Sequence, residues 1–250
     1  MRHRREIPAN IAAMQLERLI HSQGFGSRKE CRSLIRAGLV TVNGEIVDNP
    51  REDFSTENFR FAVDEEEWEY RDKAYLMLHK PPGFECSHAP QFHPSIFTLF
   101  PYPLVGRDIQ SIGRLDQDTT GLLLFSDDGQ FIHVWSSGKK QIPKVYEVTT
   151  KHPITESLLK TLLDGVELND EPGVIVAASA CEQGSEHQLS LTITEGKYHL
   201  VKRMVAAAGN RVEALHRSHV GGLRLPADLA EGKWRWLSDE DLVQLNAWQA

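Results

Sequence analysis

The first part of the chain carries short apolar patterns separated by polar residues. They predict a helix, a second helix and a hairpin. Residues 14–20, MQLERLI, have helical spacing, and GFGS then interrupts the pattern. Ser27 followed by Glu30 has the spacing of a capping box, so a second helix is expected to begin there. In LVTVNGEIV, the pair Asn43-Gly44 is a strong signal for a tight turn between two short strands.

Acidic residues follow the hairpin, and the pattern weakens before a larger region of strands and helices begins. AYLMLHK, LLLF and VYEVTT predict strands, while ITESLLKTLLDGV and HLVKRMVAAAG predict helices. These elements interleave without regular βαβ spacing, which predicts an α+β fold with a mixed, mostly antiparallel sheet flanked by helices. We expect an N-terminal tail at 1–13, a small domain at 14–60, an acidic linker at 61–73 and a larger domain at 74–250.

A polar cluster directly precedes one of these strands, in GRLDQDTTGLLLF at residues 113–125. Its acids, Asp116 and Asp118, could form a general acid–base pair of the kind that glycosidases use. They could equally serve as turn residues. The sequence contains no P-loop, zinc-protease or serine-hydrolase motif. Spacing alone therefore predicts a carboxylate in a polar turn beside a buried strand, and leaves its role open.

Composition excludes several classes of protein. No stretch approaches the roughly 18 apolar residues of a membrane helix, and the N-terminal MRHRREIPANIAAM lacks the apolar core of a secretory signal. The cysteines Cys31, Cys86 and Cys181 lie far apart, which argues against a disulfide framework and a cysteine zinc site. We expect a cytoplasmic protein without a membrane partner.

Charge is unevenly distributed along the chain. A net charge of −7 would by itself argue against a nucleic-acid partner. However, five of the negative charges fall in one short acidic run, and the basic residues cluster elsewhere. One basic cluster lies on the predicted second helix and another lies between residues 197 and 217. This segregation favours a positively charged surface of the kind that binds nucleic acid.

The helix, basic helix and hairpin of residues 14–60 resemble the S4 RNA-binding domain, through a pattern that reads SRxxxxxxIRxGxVxVNG. The resemblance implies a small module that lays its basic helix and hairpin on structured RNA. The RNA contacts expected from it are Arg18, Arg28, Lys29, Arg32 and Arg36.

GRLDQDTTGLLLFSDDG closely resembles the signature loop of pseudouridine synthases, in the family of ribosomal small-subunit pseudouridine synthase A. HKPPGFECS, PKVYEV and EGKYHLVKRMVAAAGNRVEALHR match further motifs of that family in order. The resemblance implies that Asp116 is the catalytic residue, that Tyr146 belongs to the KxY motif and that Lys202 pairs with the aspartate. One departure is Leu200, where the family usually has a glutamine.

The resemblance implies an isomerase that converts one uridine of rRNA to pseudouridine, with small-subunit (16S) rRNA as the leading interpretation. The reaction breaks the N1–C1′ bond and rejoins the base through C5, so neither a cofactor nor a metal is expected. The expected partner is rRNA, free or within an assembling ribosomal particle, and the expected state is a monomer. Further expected RNA contacts are Arg114, Lys144, Arg203 and Arg217.

Three other interpretations stay open. A large-subunit (23S) rRNA enzyme of the same family would share every motif described above. A non-catalytic RNA-binding protein would need only the S4-like unit. A glycoside hydrolase would use Asp116 and Asp118 as its paired carboxylates, although aromatic residues for a sugar platform make up only 8% of the chain.

Overall fold

The structure is a computed structural model that describes residues 13–249. It divides the chain into two units. One comprises the chain up to Ala74 together with Phe100–Ile109, and the other comprises the remainder. The expected tail at 1–13 lies outside the described residues apart from Ala13, which begins the first strand.

Two helices follow strand β1 (Ala13–Gln15) in the first unit: α1 (Leu16–Ser22) and α2 (Arg28–Arg36). The predicted capping box is confirmed at the start of α2. The Glu30 N–H donates to Ser27 Oγ at 3.3 Å, and the Ser27 N–H donates to Glu30 Oε2 at 2.7 Å. The apolar faces of both helices are buried in one core, through Leu16, Leu19, Ile20, Cys31 and Ile35.

The predicted hairpin is formed by β2 (Val40–Val42) and β3 (Glu45–Ile46), which pair antiparallel. Asn43 and Gly44 have φ angles of 53° and 80°, the left-handed backbone that a tight hairpin turn requires. Strand β4 (Asp53–Ser55) returns to pair with β1. These elements confirm the helix, helix and hairpin order that the sequence pattern predicts.

The structure corrects the prediction of a linker over residues 61–73. Strands β5 (Arg60–Val63) and β6 (Glu66–Glu69) pair there and extend the first unit's sheet in the order β3-β2-β5-β6. Phe61 and Val63 are buried, whereas the acidic residues around them are exposed. Because only one face of this sheet is covered, the apolar positions are few and the charges dominate the local composition. A short helix, α3 (Tyr102–Gly106), also belongs to this unit.

The second unit is built on one large sheet. Its strands are β7 (Tyr75–Lys80), β8 (Gln110–Ile112), β9 (Thr120–Ser126), β10 (Lys144–Thr150), β13 (Ala180–Gln183), β14 (Gln188–Ile193), β15 (Val212–Val220), β16 (Leu223–Arg224) and β17 (Trp234–Trp236). Two further strands, β11 (Val166–Glu167) and β12 (Ile175–Val176), form a separate two-stranded sheet. The main path runs β13-β14-β10-β15-β9-β7-β17. Only β15 and β9 pair in parallel among the described strands, so the predicted mixed, mostly antiparallel sheet is confirmed.

Helices accompany this sheet. They are α4 (Gly129–Ser136), α5 (Glu156–Asp164), α6 (Leu200–Ala207) and α7 (Asp239–Asn246). Short 3-10 turns occupy Ile96–Leu99, Gly138–Lys140 and Ala247–Gln249. The predicted amphipathic helix α5 begins where Thr155 Oγ1 accepts from the Leu158 N–H, and it ends at Gly165. Its apolar side is buried through Leu158 and Leu162.

Strand register brings several polar side chains to one face of the large sheet. Tyr146 of β10 lies opposite Arg217 of β15. Side chains two positions apart on a strand share a face, so Lys144 lies on the same side as Tyr146. Helix α6 follows β14, and the residue before it, His199, belongs to the same pocket wall as Tyr146. The pocket that contains Asp116 and Tyr146 forms on this side.

Candidate active site

The loop that carries Asp116 is held by a buried lysine at the end of β7. Lys80 is 0% exposed, and its Nζ donates to the backbone carbonyls of Pro81, Gln117 and Thr119 at 3.0, 3.2 and 2.9 Å. Burial lowers the pKa of Lys80, and nearby carboxylates oppose that shift. The ammonium thus ties the end of β7 to the signature loop on both sides of Asp118. Sequence reasoning missed this residue, although its place after an apolar strand in HKPPG was a signal.

A glycine lets β9 approach β15 closely behind this loop. Gly121 has φ +110°, and a Cβ at this position would lie 2.3 Å from the carbonyl oxygen of Arg217. Any side chain would therefore separate the two strands. Their short parallel pairing places the Asp116 loop and the β15 side chains at one end of the sheet.

Asp116 is paired with two side chains from the α6 segment. Lys202 Nζ lies 3.1 Å from Asp116 Oδ2, and His199 Nε2 lies 3.0 Å from Asp116 Oδ1. The Asp116 side chain is 23% exposed, so water reaches it only in part. Each carboxylate oxygen thus has a separate nitrogen partner. This arrangement brings together Asp116 and Lys202, as the resemblance implied.

Lys202 also contacts a second carboxylate. Its Nζ donates to Asp118 Oδ1 at 2.7 Å, so one ammonium bridges both acids of the signature loop. Burial opposes the charge of Lys202, but the hydrogen bonds to Asp118 and Asp116 outweigh it and raise the pKa of Lys202. Burial likewise opposes ionisation of Asp118, yet the hydrogen bond from Lys202 lowers its pKa. The two acids are therefore not an isolated acid–base pair.

His199 is the second residue that sequence reasoning missed. It has φ 50°, a left-handed conformation, and it immediately precedes α6. Its ring stacks on Tyr198, with ring centroids 3.6 Å apart and planes at 21°. Tyr198 is 70% exposed. The signal in the sequence was the spacing of His199 and Lys202, because residues three apart at a helix start lie on one side of it.

Asp116 lies in a pocket whose walls include other residues singled out from the sequence. Tyr146, Arg114, Lys144 and Arg217 all line it. Tyr146 is 8% exposed and forms part of the wall rather than the rim. Leu200, the departure from the family pattern, is buried and lines the same pocket.

Lys144 and Arg217 were expected to contact RNA phosphates, but the structure places them inside this pocket. Arg217 is 2% exposed, and its Nε donates to the Leu122 carbonyl at 2.8 Å. Lys144 Nζ donates to the Ile142 carbonyl at 3.1 Å. Burial and the nearby charge of Arg217 lower the pKa of Lys144 to about 8. Neither position suits a contact with an extended RNA backbone.

The structure gives Arg203 a different partner from the one expected. Its Nη2 lies 2.6 Å from Asp170 and 2.5 Å from Glu171, and its side chain is only 15% exposed. Arg203 therefore joins α6 to the loop between β11 and β12 instead of facing RNA freely. The five RNA contacts expected from the S4-like unit are exposed: Arg18, Arg28, Lys29, Arg32 and Arg36. Among them, Arg32 also lies 3.1 Å from Glu17.

Over residues 13–249, no group of three or more histidine, cysteine, aspartate or glutamate side chains is arranged to hold a metal ion. Among the helices described, none has the length and apolar character needed to cross a bilayer.

Comparison with known proteins identifies the family of this chain. The family model for RNA pseudouridylate synthase matches residues 74–207, and the S4 domain model matches residues 14–57. Proteins named ribosomal small subunit pseudouridine synthase A from Pasteurella multocida and Escherichia coli K12 are each 37% identical to this chain. Each alignment covers 93% of this chain and 100% of the relative. A crystal structure of a pseudouridylate synthase superimposes with a TM-score of 0.65 at 36% identity, covering 93% of this chain and 99% of that one.

The S4 domain and the pseudouridylate synthase domain together place the chain among RNA-modifying enzymes. The chain belongs to the RNA pseudouridylate synthase family and is an isomerase. The resemblance drawn from the GRLD, KxY and VKRM motifs is thereby confirmed.

Proposed function

We propose that this enzyme converts one uridine of small-subunit rRNA to pseudouridine, and that Asp116 is its catalytic carboxylate. The observation that carries the proposal is the placement of Asp116 in a pocket, with Lys202 and His199 on its two oxygens. The rRNA substrate is supported by relatives that share 37% identity over essentially their whole length and are named for the small ribosomal subunit.

Pseudouridine formation requires an ionised carboxylate at the reacting nucleoside. Lys202 Nζ lies 3.1 Å from Asp116 Oδ2 and places a positive charge beside the carboxylate. His199 Nε2 lies 3.0 Å from the other oxygen, and this second contact orients the carboxylate. Oriented groups of this kind contribute to catalysis because they need no rearrangement when the substrate reacts.

The target base must leave its stack to reach this pocket. Base flipping costs a few kcal/mol. Tyr146 lines the pocket with Asp116, and stacking of a base on an aromatic ring contributes roughly 1–3 kcal/mol. The ring thus offsets part of the cost of flipping. We assign Tyr146 to holding the flipped uracil beside Asp116.

We assign the S4 domain to docking on RNA through α2. Its basic side chains are exposed, and each phosphate contact would add affinity that depends on salt and little on sequence. Replacing Arg28 and Arg36 together by glutamine should weaken RNA binding and flatten its salt dependence. The rate at saturating RNA should stay near that of the wild type, because the pocket is unchanged.

The proposed substrate is tested by mapping pseudouridines in both ribosomal RNAs of a strain from which the gene is deleted. Loss of one site in small-subunit rRNA, restored by the wild-type gene and not by Asp116→Asn, would support the proposal. A site lost from large-subunit rRNA instead would overturn the assignment of the substrate. Restoration by Asp116→Asn would overturn the assignment of the catalytic residue.

A further inference from the structure

Two cations share the pocket with Asp116 and lie on the wall formed by β10 and β15. Lys144 and Arg217 both line it. Lys144 lies two residues before Tyr146 on β10, and Arg217 lies opposite Tyr146 on β15. The fold therefore places two positive charges next to the ring assigned to hold the flipped base. They are separate from the ammonium of Lys202, which contacts Asp116 and Asp118.

Neither cation pairs with a carboxylate in the part of the chain that the structure describes. Among residues 13–249, no carboxylate lies within ion-pairing distance of Lys144 or Arg217, and their identified partners are the carbonyls of Ile142 and Leu122. Arg217 Nη2 is buried and finds no hydrogen-bond partner within that part of the chain. A buried charge without a partner is costly, so such groups are expected to meet an anion or an acceptor when the site is filled.

The proposed reaction creates a negative charge on the base. When the N1–C1′ bond breaks, its electron pair stays on uracil and is delocalised toward O2 and O4. The new C5–C1′ bond then uses an electron pair of the base, the proton on C5 leaves, and N1 takes up a proton. Atoms and electrons balance without a co-reactant. Between the two bonds, the detached base is an anion that needs hydrogen-bond donors.

We propose that Lys144 and Arg217 donate hydrogen bonds to the carbonyl oxygens of the flipped uracil and stabilise the negative charge on the detached base. This inference rests on the proposed function and deepens it. It reassigns both residues from phosphate contacts to base contacts. It also gives the pocket a means to select uracil, because cytosine presents an amino donor at C4 where uracil presents an accepting oxygen.

Lys144→Met tests the charge with little change in volume. The single-turnover rate at saturating RNA should fall about 100-fold, the loss typical of removing one donor to a developing anion. Affinity for RNA and its salt dependence should stay within threefold of the wild type, because no phosphate contact is removed. Lys160→Met, on the exposed surface of α5, is the matched control and should change neither quantity.

The pH dependence separates this role from a structural one. Burial and Arg217 hold the pKa of Lys144 near 8, so kcat/KM of the wild type should fall as pH rises through about 8. Lys144→Arg should retain part of the rate and lose this alkaline limb, because a guanidinium stays charged. Arg217→Gln should move the limb to higher pH, since it removes the charge that lowers the pKa of Lys144.

Three results would overturn the inference. The first is a single-turnover rate of Lys144→Met within threefold of the wild type. The second is a loss confined to RNA affinity with a flatter salt dependence, which would mean a phosphate contact. The third is an alkaline limb that Lys144→Arg leaves unmoved. Failure of the proposed function would look different: the wild type would form no pseudouridine in rRNA, or Asp116→Asn would remain active.

Discussion

The bridge between Lys202 and the two acids makes the charge balance of the site testable. Lys202→Met removes the one ammonium that contacts both Asp116 and Asp118 and leaves two like charges side by side. We therefore expect the variant to lose activity, because Asp116 loses one of its two nitrogen partners and the nearby charge of Asp118 is no longer compensated. Lys202→Arg, which keeps the charge, should restore most of the lost rate.

The magnitude follows from the distance. At 3.1 Å, two unit charges interact with about 5 kcal/mol if the effective dielectric constant is about 20. The side chains of Lys202 and Asp116 are 26% and 23% exposed, so water weakens the pair. If about half of this interaction energy remains after screening by water, the pair contributes roughly 2.5 kcal/mol. Losing that contribution from the transition state corresponds to a rate loss of about 50- to 100-fold.

The assay is tritium release from C5-labelled uridine in rRNA under single-turnover conditions, at a pH of about 7, which lies between the ordinary pKa values of carboxylic acids and of lysine. Asp118→Asn alone should lower the rate by less than about tenfold, because Lys202 keeps its contact with Asp116. In the double variant, Asp118→Asn should restore part of the rate lost with Lys202→Met, because it removes the second carboxylate that the ammonium had compensated. A Lys202→Met enzyme with a rate within threefold of the wild type would refute the electrostatic reasoning.

Three other outcomes are expected. Tyr146→Phe should keep substantial single-turnover activity and Tyr146→Ala should lose far more, because a phenyl ring still stacks; equal losses would refute stacking. Lys80→Met should lower both the melting temperature and the rate, because it leaves three backbone carbonyls without their donor. An unchanged melting temperature would contradict this. Burial and His79 lower the pKa of His216, so the free energy of unfolding should decrease as pH falls below about 6.5, and His216→Gln should flatten that decrease.

Local patterns predicted the parts of the fold whose causes are local. The capping box at Ser27 and the Asn43-Gly44 turn depend on residues within four positions of each other, and both occur as expected. The strand at Arg60–Val63 was missed because its exposed face and turn are acidic, and only pairing with β2 shows that Phe61 and Val63 are buried. Composition described the surface of this segment and not its core.

Long-range contacts explain the errors at the site. Arg203 looked like an RNA contact because its partners, Asp170 and Glu171, lie 33 and 32 residues earlier in the chain. The pairing of Asp116 with Lys202 was available only through the resemblance, since 86 residues separate them. His199 reaches Asp116 through a left-handed backbone that its residue type alone does not predict.

Lys144 and Lys202 show why residue type alone could not predict which partner each lysine of the pocket has. Both are lysines from family motifs, and the sequence offered the same charge at each. Lys202 meets two carboxylates, which raise its pKa, so its charge is committed to the protein. Lys144 lies near Arg217 and donates to a carbonyl, its pKa is lowered to about 8, and no carboxylate among residues 13–249 takes up its charge. The cation that contacts Asp116 and the cation proposed to contact the uracil are thus distinguished by their partners.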